Sequence, residues 1–186
     1  MSRRPPPPRP GPGGDQARLA QILRVDHAGE LGAVWIYRGQ RAVFEAGGRG
    51  AVAAQLEAME THEARHLERF EGLLAERRVR PTLLAPLWRA AGFALGAGTA
   101  LIGERAAHAC TEAVESVIED HYAGQVAEIS AAEPVLAAEL AGFRDEELAH
   151  QREATEAGAL EAPGGRLLRA AIRAGCRVAI KVSELV

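Results

Sequence analysis

The sequence predicts an all-α chain: a four-helix bundle made of two helical hairpins, with an apolar helix inserted between them and an amphipathic helix at the C-terminus. Three observations lead there. Ala, Leu and Glu abound while aromatic residues make up only 4% of the 186 positions, a balance that favours helices over sheets. Apolar residues recur at helical spacing between breaks marked by glycine and proline. One glutamate followed at a distance by Glu-x-x-His occurs once in each half of the chain.

The elements follow in order. Met1 to Gly14 is rich in Arg, Pro and Gly, lacks the apolar run of a secretory signal, and carries prolines that prevent an amphipathic helix. It reads as a disordered tail over 1–14, ahead of one domain over 15–186. Asp15 can cap a first helix whose apolar positions run from Leu19 through Ile36 toward Ala46, where Gly47-Gly48-Arg49-Gly50 ends it. A second helix spans about Ala51 to Arg78, with Leu56, Met59, Leu67, Phe70, Leu73 and Leu74 as its apolar stripe. Pro81 and Pro86 then break the pattern.

The segment Leu83 to Gly103 has Arg89 as its only charge. Its clean apolar run, Ala90 to Ile102, is shorter than the ~20 residues that span a bilayer, so it predicts an interfacial or substrate-lining helix. Helices from about Arg105 to Ile129 and from Pro134 to Ala157 form the second hairpin, with Pro134 suited to a first helical position. In the last helix, Arg166 to about Glu184, Arg169, Arg173, Arg177 and Lys181 recur every four residues beside an apolar side, a pattern suited to an anionic membrane surface.

Composition removes several function classes. A formal net charge of −3 provides no general field for nucleic acid, so no nucleic-acid partner is expected. Two cysteines, Cys110 and Cys176, are too few for a disulfide scaffold or a thiolate zinc site, and a reducing compartment fits. No Gly-x-Gly-x-x-Gly turn follows a strand, which excludes a Rossmann nicotinamide site.

The chemistry lies in the repeated pattern. With 21 glutamates and 6 histidines, independent placement gives about 0.7 Glu-x-x-His pairs, so the two present, Glu63/His66 and Glu147/His150, are a modest excess. Their spacing still places carboxylate and imidazole on one helix face, about 4.5 Å apart along the axis. The upstream glutamates decide the matter. From Glu30 the chain climbs about 27 Å to the glycine turn near Gly48 and descends about 18 Å from Ala51 to Glu63. Glu115, the turn near Ala132 and Glu147 repeat that path with similar lengths.

Packed together, the two hairpins bring Glu30, Glu63, His66, Glu115, Glu147 and His150 to one level. That is the cage of ferritin-like carboxylate bundles, in which two helices give one Glu each and two give Glu-x-x-His. Carboxylates with imidazoles suit iron or manganese. A zinc alternative uses His62, His66 and Glu60, but it has no counterpart in the second half.

The same segments carry a resemblance. Arg24-Val-Asp-His-Ala-Gly-Glu30, Arg80 to Trp88, Gly92 to Leu101, Ala113-Val-Glu115 with His121-Tyr122, Phe143-Arg-Asp-Glu-Glu-Leu148 and Ala174 to Ile180 resemble, in this order, the demethoxyubiquinone hydroxylase family of ubiquinone biosynthesis. The resemblance covers about residue 18 to the end. Departures fall at Leu31, Gln151, Lys181 and Leu185, and none removes a ligand.

The resemblance implies a 3-demethoxyubiquinol 3-hydroxylase, a di-iron monooxygenase that inserts one atom of O₂ into the quinol ring. Glu30 and His66 would bind one iron, Glu115 and His150 the other, and Glu63 and Glu147 would bridge. NADH would supply electrons; by position His121 and Tyr122 are relay candidates, with a packed tyrosine and a satisfied histidine as the alternative, and a lipid-binding helper protein is a candidate partner. Because the substrate is a polyprenyl quinone, a peripheral position on the cytoplasmic face of the bacterial inner membrane is expected. Asp26, His27, Glu112 and Asp145 are further neighbours of the site by position, with Asp26 and Asp145 expected to hold the ligand histidines. The competing readings are a ferritin-like iron-storage or ferroxidase protein and a non-catalytic helical scaffold.

Overall fold

The computed structural model describes residues 14–185. Six α-helices account for most of them: α1 (Gly14–Ala46), α2 (Gly50–Arg77), α3 (Ala85–Ile102), α4 (Glu104–Ile129), α5 (Pro134–Glu156) and α6 (Gly165–Leu185), with a short 3₁₀ turn at Ala159–Glu161. No strand occurs among the described residues. The tail expected over 1–14 lies outside them except for Gly14, from which α1 is described, and the expected Asp15 cap falls on a side chain outside the described ones.

The glycine break after α1 acts as expected. Gly48 takes a left-handed conformation at φ 70°, and the Arg49 amide donates back to the Phe44 carbonyl, closing the helix. Helices α1 and α2 pack as one hairpin and α4 and α5 as the other. Two apolar clusters fill the space between the hairpins. At one end Ile22, Leu23, Phe70, Leu73, Tyr122, Leu136 and Leu140 come together, and at the other Tyr37, Phe44, Leu56, Met59, Ala100 and Ala107. The carboxylates lie in the layer between these clusters, out of reach of solvent on either end.

Helix α3 crosses α1 at unusually short range. Gly92 and Gly96 sit against the backbone of Gly32 and Ile36, where any Cβ would collide with carbonyl groups. Helix α6 lies along α4 and α1. Its basic stripe divides in a way that the periodicity did not foresee. Arg173 donates to both oxygens of Glu112 at 2.6 and 2.9 Å and to Ser116 Oγ at 2.9 Å, and Arg169 Nε lies 3.3 Å from Glu112. Arg177 and Lys181 remain exposed. Half of the stripe therefore clamps α6 to the bundle.

Candidate metal centre

Each of the four bundle helices contributes to one buried cluster. Glu30 comes from α1, Glu63 and His66 from α2, Glu115 from α4, and Glu147 and His150 from α5. All four carboxylates are no more than 1% exposed. Their ligating atoms form two groups within 4.8 Å: Glu30, Glu63, His66 and Glu147 in one, and Glu63, Glu115, Glu147 and His150 in the other. Glu63 and Glu147 belong to both. The six residues selected by spacing are thus brought together, in two sets joined by two shared carboxylates.

The contacts show which atoms face inward. His66 Nδ1 lies 3.2 Å from Glu147 Oε1 and 3.5 Å from Glu30 Oε2. His150 Nδ1 lies 3.1 Å from Glu63 Oε1 and 3.4 Å from Glu147 Oε2. Yet both nitrogens, both oxygens of Glu63 and of Glu147, and Oε2 of Glu30 and of Glu115 make no hydrogen bond. Buried polar atoms ordinarily have partners, and buried charge is costly unless it is paired or bound to metal. Carboxylate oxygens with imidazole nitrogens fit two divalent cations such as iron or manganese.

Electrostatics lead to the same reading. Burial, and then the charge of Glu147, push Glu30, Glu63 and Glu115 above the ordinary carboxylate range. At Glu147 burial acts the same way, but its interactions with His150 and His66 outweigh it and hold the group down to about 2. Burial likewise opposes charge on His66, and its contacts with Glu147 and Glu30 prevail, lifting it to about 11. Since Glu63 and Glu147 hold mirrored positions, their opposite shifts belong to the pair and to neither residue alone. The pocket holds protons that divalent cations would displace.

The surroundings differ in several places from the sequence-based expectations. His66 Nε2 lies 3.0 Å from Glu146, not from Asp26 or Asp145, and Phe143 packs on its ring at 4.4 Å between centroids. Asp145 faces solvent and pairs with Arg144. Asp26 accepts from Gln125 Nε2 at 2.7 Å and lies 3.5 Å from His121. His27 turns toward Glu71, and Glu112 turns toward α6. His150 Nε2 contacts His62 Nδ1 at 3.4 Å. Glu60 accepts from Arg38 and Arg41 at 2.5 and 3.1 Å, which takes it out of the zinc alternative.

Of the expected relay pair, Tyr122 reaches the cluster, donating its hydroxyl to Glu30 Oε1, whereas His121 meets only Asp26 and Gln125. Tyr37, which sequence reasoning missed, donates to Glu115 Oε1 at 2.7 Å. Its signal was present: Tyr37 follows Glu30 by the same seven residues that separate Tyr122 from Glu115.

An apolar cavity of about 550 Å³ is walled by α1, α3, α4 and α6, and none of the six cluster residues lines it. Small residues of α1, among them Gly29, Gly32 and Ala33, face it on either side of Glu30, and Val114 faces it beside Glu115. Leu95 and Ile172 supply part of the wall from α3 and α6. Helices α1 and α4 thus carry carboxylates of the cluster and also form walls of the cavity.

Residues 17–183 match the family described as "Ubiquinone biosynthesis protein COQ7". The chain belongs to this family. Among its relatives, the 3-demethoxyubiquinol 3-hydroxylase of Rhodospirillum rubrum is 50% identical over 95% of this chain and 82% of the relative. The human NADPH-dependent 3-demethoxyubiquinone 3-hydroxylase, mitochondrial, is 47% identical over 91% of this chain and 78% of its own length. The yeast 5-demethoxyubiquinone hydroxylase, mitochondrial, is 40% identical over 90% and 78%. Membership of the COQ7 family accounts for the whole set of quoted segments, including those far from the carboxylates.

Proposed function

We propose that this chain is a 3-demethoxyubiquinol 3-hydroxylase of the COQ7 family, working through two iron ions held by Glu30, Glu63, His66, Glu115, Glu147 and His150. One observation carries the reading. Two four-residue groups share Glu63 and Glu147 in a fully buried layer, and the helices that carry Glu30 and Glu115 also wall a large apolar cavity. Glu30 with His66 would hold one ion and Glu115 with His150 the other, with Glu63 and Glu147, which belong to both groups, serving both. Two ferrous ions so held would bind O₂ and each give an electron to it.

The chain's own residues supply everything else. The apolar walls admit the ring of a demethoxyubiquinol beside Glu30 and Glu115 and exclude water, which strengthens the electrostatics within. The ring C–H becomes C–OH, the second oxygen atom leaves as water, and two electrons come from a reduced nicotinamide nucleotide. NADH is the donor expected from the sequence, and the names of the mammalian relatives specify NADPH. Glu146 behind His66, and His62 behind His150, fix the outward ring nitrogens so that Nδ1 faces the centre.

The membrane enters through the substrate's polyprenyl tail. No described helix is long and apolar enough to cross a bilayer. Leu83, Leu87, Leu101 and Ile102 on and beside α3, and Leu167 and Val178 on α6, are exposed around the same two helices that wall the cavity. That arrangement supports a peripheral position on a membrane, expected from the sequence to be the cytoplasmic face of a bacterial inner membrane, with the cavity mouth toward lipid or toward a lipid-binding helper protein. A ferritin-like storage subunit would have no use for this exposed apolar rim.

Iron-loaded protein supplied with demethoxyubiquinol, O₂ and NADH or NADPH should convert the quinol to a product heavier by one oxygen atom, read by mass spectrometry. Glu63→Ala or Glu147→Ala should abolish the conversion by removing a bridge. Turnover like that of the unaltered protein in either variant would refute the assignment.

A further inference from the structure

The hydrogen-bond inventory separates the four carboxylates into two kinds. Glu63 and Glu147 have both oxygens without a hydrogen bond, whereas Glu30 and Glu115 have only Oε2 so placed. In each of the latter, Oε1 accepts from a tyrosine hydroxyl: Tyr122 for Glu30, and Tyr37 for Glu115. Both tyrosines are 1% exposed, so no water competes for these bonds. A side chain with two open oxygens can touch two ions. One whose second oxygen already accepts a hydrogen bond offers a single unpartnered oxygen to the ions and leaves the other less available.

The arrangement is crossed and is built from the internal repeat. Glu30 and Tyr37 lie two turns apart on one face of α1, about 10 Å along the axis, as Glu115 and Tyr122 do on α4. Each tyrosine serves the glutamate of the other hairpin, and each belongs to the apolar cluster at a different end of the carboxylate layer. We propose that Tyr37 and Tyr122 are a crossed pair of positioning residues. Each occupies one oxygen of the opposite hairpin's lone glutamate, making Glu115 and Glu30 one-oxygen end ligands and leaving Glu63 and Glu147 as the only bridges. The proposal rests on the two-metal reading and assigns the device that sets each carboxylate's role.

Cobalt(II) titration of metal-depleted protein tests it, followed by equilibrium dialysis and by visible absorption, which reports coordination number. Unaltered protein should bind two cobalt ions. Tyr37→Phe should still bind two, with one step weakened by about tenfold or more and with that ion's absorption altered as Glu115 frees its second oxygen. Tyr122→Phe should do the same at the other position. In a His150→Ala background, which leaves the Glu30/His66 position, Tyr122→Phe should weaken the remaining step and Tyr37→Phe should not. Wild-type affinity and absorption in both tyrosine variants would overturn the proposal, including in a variant that melts at lower temperature. Failure of the unaltered protein to bind metal would instead overturn the two-metal reading, and this proposal with it.

Discussion

Gly96→Ala should destabilise the protein even though alanine is the better helix former. Gly96 of α3 rests on the backbone of Ile36 in α1, and a Cβ there would meet the Ile36 carbonyl group, with its carbon at 2.8 Å and the Ile36 Cα at 3.0 Å. Backbone atoms cannot rotate aside, so the helices must part by about 1 Å to restore ordinary contact. Overpacking of this kind costs about 1–3 kcal/mol, against a gain in helix propensity of up to about 1 kcal/mol. The net loss of up to about 2 kcal/mol corresponds to a fall of up to about 8 °C in melting temperature for a chain of this size. Gly98, on the same helix, has nothing within 4 Å of its Cβ position. Gly98→Ala should therefore gain up to about 1 kcal/mol and melt about 2–4 °C higher. Thermal unfolding followed by circular dichroism, at one pH and one metal content, measures both. A Gly96→Ala protein that melts with or above the Gly98→Ala protein would show that the α1–α3 crossing is not limited by backbone contact.

Two further predictions concern the centre itself. Glu30, Glu63 and Glu115 are raised by burial and by Glu147, and His66 is raised to about 11, so all four hold more protons folded than unfolded above their unfolded values. Stability from such groups is complete below the unfolded pKa and is lost as pH rises through the folded one, while Glu147, held to about 2, contributes equally throughout this range. Metal-depleted protein should consequently melt at falling temperature from about pH 6.5 to 9, and ferrous or manganous ions should flatten that slope; a melting temperature that climbs across the window contradicts the charge assignment. Glu146→Ala should weaken metal uptake at the His66 position by about 10- to 100-fold, while Asp145→Ala next to it should leave uptake unchanged. Anaerobic iron titration compares them, and equal affinity in the two variants would remove Glu146 from its supporting role.

Much of this protein was legible along the chain because the relevant interactions are local. Helical periodicity, glycine and proline breaks and the i, i+3 pairing of Glu63 with His66 and Glu147 with His150 all depend on neighbours within one or two turns. Matched hairpin lengths then placed Glu30 and Glu115 at the level of those pairs, so the six residues of the cluster could be named without coordinates. Sequence separation gave no comparable guide to what stands behind them. Glu146 and Asp145 are adjacent in the chain, but a step of 100° around α5 turns one toward His66 and the other toward solvent. Asp26, one turn from Glu30, faces Gln125 and His121 of α4 instead of a histidine of the cluster.

Helix content, hairpin pairing and the inward-facing ligands were determined by the sequence by itself, since each follows from the rise and twist of a single helix. Tertiary structure alone decided that Tyr37 and Tyr122 serve the opposite hairpins, that Arg169 and Arg173 clamp Glu112 instead of facing outward, and that α1, α3, α4 and α6 wall an apolar cavity. The physical reason is that these features depend on the rotation and offset of one helix against another. Those two quantities are set by close contacts such as the Gly96–Ile36 crossing, which no spacing within a single helix encodes.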